Sequence, residues 1–271
     1  MYQHNPPLSP KETMPTMYDL PSELIGESGL PDEFHCIQAD LLSETCQPVN
    51  YSSEEILLAS DLNLYYDPLH PNWYKRPDWY MVLDVANANQ QENLRLSYVV
   101  WQEGIAPFLV VELLSPGTEQ EDLGQTLREV NKPPTKWAVY QNILRIPYYV
   151  VYDRYENNFR GFKLNGAHYE PINLSENRFW LEEIEMGLGL WQGTYQNTEG
   201  LWLRWYNVDG WLPTLTEKAK NERQKAENEH QRAETERQKA ETERQRADEA
   251  EAKVAILAQR LRELGIEPDS L

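Results

Sequence analysis

The sequence has few cysteines and no long apolar run. Its 271 residues include two cysteines, Cys36 and Cys46, which are too few for a disulfide framework and are typical of a reducing compartment. No apolar run approaches the roughly 18 residues that a membrane-spanning helix needs. The first residues are rich in proline and polar side chains and lack the apolar region of a signal peptide. We therefore expect a soluble, cytoplasmic protein.

Positive charge is also scarce. The chain holds 25 Lys and Arg against 44 Asp and Glu, a net charge of −19. This balance argues against a simple nucleic-acid binder, because contacts to phosphate dominate that affinity. Residues 125–165 are the exception, with 7 basic and 3 acidic residues. Two interpretations of this segment stay open: a local positive face on an acidic body, or a solvated helix and hairpin.

Hydrophobic periodicity predicts one folded body and a charged tail. We expect a flexible N-terminal arm over 1–30, a domain over 31–213, a charged helix over 214–264 and a short tail over 265–271. A helix followed by strands, a further helix and more strands indicates an α/β or α+β fold with a mixed sheet. The predicted helix covers 32–44, the predicted strands cover 62–66, 79–85, 97–101, 108–114 and 148–152, and a hairpin with an Asn-Gly turn joins 159–164 to 168–172.

Glu112 interrupts the apolar strand predicted between Phe108 and Leu114. Charged side chains are rarely buried unless they are paired or bind a metal. The sequence allows a buried ion pair with Arg145 or Lys136. It equally allows a metal site, because Mg²⁺ prefers hard oxygen ligands and two carboxylates on adjacent strands supply them.

Several motifs occur in a fixed order around Glu112. Pro77-Asp78 opens a strand, VVELLSPGT contains Glu112, and EDLG, KWAVY and IPYYVVYD follow. This series resembles the Uma-type family, a bacterial group classed with restriction endonucleases in the PD-(D/E)XK nuclease superfamily. The resemblance covers roughly residues 50–212. It implies a restriction-endonuclease-like mixed sheet flanked by helices, and Mg²⁺- or Mn²⁺-dependent hydrolysis of DNA.

The resemblance also implies the metal ligands. The superfamily pattern assigns Asp78 and Glu112 to one shared metal, with the backbone carbonyl of Leu113 as a further ligand. A bound metal lowers the pKa of water and stabilises charge on the phosphate. Asp78 has a structural alternative, because aspartate after proline is common at turns and strand starts.

The catalytic lysine departs from the simplest form of the pattern. Leu114 occupies the position two residues after the glutamate, where E-X-K has its lysine. Members of the family resemble a migrated form, with a lysine four residues before a tyrosine, and Lys136 and Tyr140 have that spacing. Because REVNKPPT precedes Lys136, Lys132 and Arg128 remain alternatives. Asp122 matches a further position, which orients the lysine or simply marks a helix N-terminus.

Two histidines are assigned no role in the site. His35 lies on the first predicted helix, where a lone histidine is more often a surface or satisfied core residue than a ligand, and His168 is taken as structural.

A second function competes with the nuclease hypothesis. In it, the fold is catalytically inactive and acts as a binding or scaffold protein that oligomerises through its tail.

The tail repeats every seven residues. Alanine holds the first heptad position four times, from Ala226 to Ala247, while the fourth position is mostly glutamate. Apolar residues occupy both positions only near the end, so the alternatives are a solitary solvated helix and a dimer. A basic nucleic-acid-binding helix is not expected, because the tail is nearly neutral. The dimer would form through Val254, Leu257, Leu261 and Leu264.

Overall fold

The computed structural model describes residues 31–114, 122–124 and 132–263. The predicted arm over 1–30 and tail over 265–271 lie outside the described residues. The chain divides into two units, Met1–Leu212 and Pro213–Leu271. Within the described ranges, no helix is long and apolar enough to cross a membrane.

The first unit begins with helix α1 and continues into strands and short helices. Asp32 caps α1 by accepting a hydrogen bond from the backbone N–H of His35 at 3.0 Å, which satisfies a donor that the first helical turn leaves free. The elements up to the centre of the chain are α1 (Glu33–Thr45), β1 (Ile56–Ala59), β2 (Leu64–Tyr65), β3 (Tyr74–Lys75), β4 (Trp79–Leu83), a 3-10 turn (Gln91–Asn93), β5 (Tyr98–Val99), α2 (Val100–Glu103) and β6 (Leu109–Leu113).

The second half of this unit is mostly strands. A short helix, α3 (Lys136–Ala138), continues directly into a π-helical turn (Val139–Ile143). The predicted hairpin forms, but its two-residue loop is Gly166-Ala167, because Asn165 ends β8 and pairs with His168; Gly166 adopts the positive φ of 59° that the first loop position requires. The remaining elements are β7 (Tyr148–Asp153), β8 (Asn158–Asn165), β9 (His168–Pro171), β10 (Arg178–Leu181), a 3-10 turn (Glu182–Ile184), β11 (Met186–Tyr195), β12 (Thr198–Asn207) and β13 (Gly210–Trp211).

The described strands form a central mixed sheet with two smaller sheets. The central sheet has the order β1-β4-β6-β7-β8-β9, in which β6 and β7 are parallel and the other pairs are antiparallel. The smaller sheets have the orders β10-β11-β12-β13 and β3-β2-β5. Flanking helices complete an α/β architecture, as the sequence predicts.

Alternate residues of the central strands enter two different cores. One face, with Trp79 and Val111, packs against α1 and the four-stranded sheet. The opposite face, with Tyr80 and Val110, packs against the π-helical turn and the small sheet. Because both faces are covered, β4 and β6 are buried throughout. Any polar side chain within β6 must therefore find its partners inside the protein.

The strand predicted over 97–101 is partly wrong. Only Tyr98–Val99 is extended, and Val100–Glu103 forms a helical turn. Gly104 ends this turn at φ 79°, with its N–H donating to the carbonyl of Val100. The apolar run of Val99, Val100 and Trp101 suited a strand equally well, so local periodicity did not distinguish the two.

The second unit is helix α4 (Leu215–Glu263), 49 residues long. At its start the side chain of Thr214 accepts from the N–H of Glu217 at 3.2 Å, and Glu217 accepts from the N–H of Thr214 at 2.8 Å. This reciprocal pair is a capping box. At 1.5 Å per residue the helix is about 70 Å long.

Candidate active site

The register of β4 against β6 brings the two predicted acidic residues together. Trp79 pairs with Val111, so Asp78 at the start of β4 lies beside Glu112 on β6. The N–H of Leu113 donates to Oδ2 of Asp78 at 2.6 Å, and the N–H of Asp78 lies 3.4 Å from Oε2 of Glu112. Asp78 is thus not an isolated turn residue. Its carboxylate is fixed to the backbone of the strand that carries Glu112.

Glu112 is completely buried, and two side chains pair with it. Lys136 Nζ donates to Oε2 at 2.9 Å, and the hydroxyl of Tyr140 donates to Oε1 at 2.8 Å. Because side chains alternate along a strand, Glu112 faces the core that contains Tyr140, and Val111 faces the other. Both acceptor oxygens therefore have donors inside the fold.

The helix after the Pro-Pro pair positions both donors. Thr135 caps α3, accepting from the N–H of Ala138 at 3.2 Å, and Lys136 is the first helical residue. The helix then widens, with the N–H of Leu144 bonded to the carbonyl of Val139 five residues earlier. Such π-helical turns frequently occur at functional sites. The four-residue spacing places Lys136 and Tyr140 over the same carboxylate.

Asp122 is the third carboxylate of the site. Its Oδ1 lies 3.2 Å from Lys136 Nζ, and its side chain is 2% exposed. Two residues on, Gly124 has a φ of 67°, and a Cβ there would approach Cγ of Trp137 to 2.7 Å. The EDLG motif therefore requires glycine for both conformation and packing. The interpretation of Asp122 as a partner of the lysine agrees with this geometry.

The site holds more negative than positive charge. Among the described residues, the carboxylates of Asp78, Glu112 and Asp122 lie near one ammonium group, that of Lys136. Burial, together with the charges of Asp78 and Asp122, raises the pKa of Glu112 well above its usual value despite the nearby lysine. Burial lowers the pKa of Lys136, but the three carboxylates outweigh it, so the net pKa is well above normal. Lys136 therefore remains charged.

His35 is a buried histidine with partners on both ring nitrogens, as one of the sequence-based interpretations had it, and it also contacts the carbonyl of a candidate ligand. Its ring is buried, with Nε2 3.0 Å from the carbonyl oxygen of Leu113 and Nδ1 2.7 Å from Oδ1 of Asp32. Burial lowers the pKa of His35, but the hydrogen bond to Asp32 and the charge of Asp78 outweigh this effect, so the pKa is raised from 6.5. The protonated ring donates from both nitrogens. The Asp32-x-x-His35 spacing at a helix start was the available sequence signal.

Asp61 is the second residue that sequence reasoning missed. Its N–H donates to the carbonyl of Pro77 at 3.2 Å, directly before Asp78. Burial and the charge of Asp78 raise the pKa of Asp61. It adopts a φ of 51°, a conformation in which aspartate is tolerated better than most residues. An acidic residue just after a short apolar run was the only indication in the sequence.

The remaining candidates have other surroundings or lie outside the described residues. Lys132 is exposed, and Arg128 lies outside the described residues. Arg145 donates to the carbonyl of Gly166, so the ion pair of Glu112 is with Lys136. Leu114, in the E-X-K lysine position, is buried in the core with Tyr140. The geometry thus favours Lys136 among the three alternatives, and the catalytic roles stay predictions.

The donor atoms present fit a hard divalent cation. Asp78, Glu112 and the Leu113 carbonyl offer only oxygen, as Mg²⁺ and Mn²⁺ prefer. A carboxylate has about four lone-pair positions and a carbonyl two, so the hydrogen bonds described above leave acceptor capacity on each group. Among the described residues, no set of three or more His, Cys, Asp or Glu side chains has metal-binding geometry. Water and substrate would supply the remaining ligands.

Comparison with known families agrees with this geometry. The model of the Uma2 family, described as "Putative restriction endonuclease", matches residues 10–194. The match spans more than half of the chain and supports a nuclease-like function in general; restriction-endonuclease-like families generally use divalent metals. No curated protein matches the chain. Because the match covers more than half of the chain and includes Asp78, Glu112 and Lys136, the chain belongs to the Uma2 family.

Proposed function

We propose that this protein hydrolyses DNA phosphodiester bonds in a reaction that requires Mg²⁺ or Mn²⁺. The carboxylates of Asp78 and Glu112 and the carbonyl of Leu113 hold the metal, and Lys136 assists the attacking water. The observation that carries the proposal is an excess of acidic over basic side chains among the described residues, in which Asp78, Glu112 and Asp122 gather around the ammonium group of Lys136. A divalent cation would neutralise that excess.

Each protein group has a distinct task in this proposal. When bound, the metal acts as a Lewis acid that stabilises charge on the phosphate and lowers the pKa of water. Lys136 donates one hydrogen bond to Glu112 and forms an ion pair with Asp122, and its side chain is 20% exposed. Because an ammonium group has three donor hydrogens, Lys136 could also orient water or contact a phosphate oxygen. Tyr140 holds the remaining oxygen of Glu112 in place.

One observation favours the alternative, a catalytically inactive binding or scaffold protein. Glu112 already has a donor on each oxygen and is entirely buried. A complete internal pair of this kind also satisfies a purely structural role. The acidic composition of the chain points the same way, because a DNA-binding surface is usually basic.

Calorimetric titration of Mn²⁺ separates the two functions. Wild type should bind the metal, and Asp78→Asn should abolish binding while the fold is retained. Asp84→Asn is the matched control, because Asp84 follows the other end of the same strand and is exposed. Cleavage of supercoiled plasmid by wild type and Asp84→Asn, but not by Asp78→Asn, would complete the assignment. Equal Mn²⁺ binding by all three proteins would remove Asp78 from the metal site.

A further inference from the structure

The charged part of helix α4 has a charge pattern typical of a single solvated helix. We number its heptads a to g with Ala226 at position a. Along positions d and g, acidic and basic residues alternate at steps of three and four, which are neighbours on a helix surface. We call this series the charge ladder. Its members are Glu222, Lys225, Glu229, Arg232, Glu236, Lys239, Glu243 and Arg246.

A second alternating series follows positions b and e of the same helix. Within it, Arg223 Nε donates to Oε1 of Glu227 at 3.1 Å. It continues with further pairs of opposite sign, such as Arg237 and Glu241. The side chains from Asn221 to Lys253 are all exposed. The sequence therefore places opposite charges within reach of each other along a single helix, a pattern that supports the helix without a partner over this length.

The same pattern opposes pairing of two copies over the charge ladder. In a parallel two-stranded coiled coil, d packs against d of the partner, and g lies near e of the partner. Here d is glutamate, as in Glu236, so like charges would be opposed in the core. Positions g and e are mostly basic, as in Lys239 and Arg244, so the flanking contacts would repel as well.

The pattern changes at Ala247. From there to residue 264, positions a and d are Ala247, Ala250, Val254, Leu257, Leu261 and Leu264. Val254 and Leu257 are 65% and 61% exposed. A β-branched residue at a with leucine at d favours a parallel two-stranded coiled coil. At the flank, Arg246 in position g would meet Glu251 in position e of a second copy, which are opposite charges.

We propose that two copies of this chain pair in parallel through residues 247–263 and that their helices separate upstream, along the charge ladder. We call this arrangement the fork. The occupant of the apolar face is a second copy of the same segment, chosen by the Val-Leu pattern and by the Arg246–Glu251 complementarity. The fork does not depend on the proposed nuclease function.

Sedimentation of the full-length protein tests the pairing. Wild type should shift toward twice its mass of 31.8 kDa as concentration rises. Leu257→Asp should weaken association about tenfold or more, since it places a charge in the paired core. Ile256→Asp is the matched control, because Ile256 is 63% exposed but lies at position c, outside the core. Equal behaviour of the two variants, or a monomeric wild type, would overturn the pairing.

Cysteine cross-linking tests where the helices separate. In a Cys36→Ser background, Ala250→Cys and Glu229→Cys both place a thiol at position d, where parallel partners face each other. The fork predicts rapid disulfide formation across the dimer at 250 and little at 229. Equal cross-linking at both positions would show a continuous coiled coil, and none at 250 would exclude the parallel register. Either result would refute the fork.

Discussion

The two members of the buried ion pair should differ sharply in their effect on stability. Lys136→Met removes the single ammonium group among Asp78, Glu112 and Asp122, and leaves Glu112 with no compensating charge. Removing one partner of a buried pair costs about 3–5 kcal/mol of unfolding free energy. Because the lysine is 20% exposed and the glutamate fully buried, most of this cost arises from the carboxylate.

Glu112→Gln removes the negative charge of the same ion pair and keeps the lysine. Lys136 keeps Asp122 as a partner, and the amide oxygen can accept from Tyr140, but the amide N–H₂ then faces Lys136, so the hydrogen bond from that lysine is lost. Replacing charged by neutral hydrogen bonds costs about 1–2 kcal/mol. Relief of the repulsion from Asp78 and Asp122 opposes that cost. We therefore expect Glu112→Gln to change stability by less than about 1 kcal/mol in the absence of divalent metal.

Urea unfolding followed by tryptophan fluorescence measures this difference in stability for the first unit of the chain, which contains the site. All nine tryptophans lie in the first 212 residues, so unfolding of α4 does not enter the signal. The samples contain EDTA and are repeated with Mg²⁺. A metal at a hundred times its Kd adds about 2.7 kcal/mol to wild type, and none of this gain should remain in Glu112→Gln. If Glu112→Gln without metal costs as much as Lys136→Met, the excess-charge argument is wrong and the pair is structural.

Three further outcomes follow from individual contacts. Folding raises the pKa of His35 from 6.5, so the stability that its charged form contributes is complete below pH 6.5 and is lost as pH rises through the raised folded pKa; His35→Gln should remove this part of the pH dependence of the urea midpoint. Tyr140→Phe leaves Oε1 of Glu112 without its donor and should cost about 1–3 kcal/mol in the same assay. Gly124→Ala should lower thermal stability more than Gly166→Ala, because both residues have positive φ but only Gly124 has Trp137 against the missing Cβ.

The central sheet and its two carboxylates were predictable because they depend on local patterns. Apolar runs bounded by turn residues define β4, β6 and β7, and a charge inside such a run indicates function or pairing. Lys136 was predictable only through its four-residue spacing to Tyr140. Because the segment REVNKPPT before it makes the alignment with the family motif ambiguous, Lys132 and Arg128 remained alternative candidates for the lysine position. The structure favours Lys136 because the helix that starts after Pro134 directs positions 136 and 140 to one carboxylate.

The contribution of helix α1 to the site was not predictable. His35 and Leu113 are separated by 78 residues, and no periodicity links a helix face to a particular carbonyl on a strand. The strand predicted over 97–101 failed for a related reason. Over so short a length its apolar residues fit the period of a strand and the period of a helix equally well. The structure forms a helical turn, which ends at Gly104 in the left-handed conformation.

Asp32 connects the start of α1 to the candidate metal ligand. One oxygen, Oδ1, caps the helix and holds the His35 ring, while Oδ2 accepts from Arg154 at 2.7 Å. The ring in turn donates to the carbonyl of Leu113, which fixes the direction of that oxygen and occupies one of its lone pairs. Partners beyond the direct ligands commonly orient and tune a metal site in this way. Under the proposed function, the Asp32–His35 pair would orient the Leu113 carbonyl, and because the charged ring lowers the negative potential at that oxygen, it would also weaken the carbonyl as a ligand of a cation.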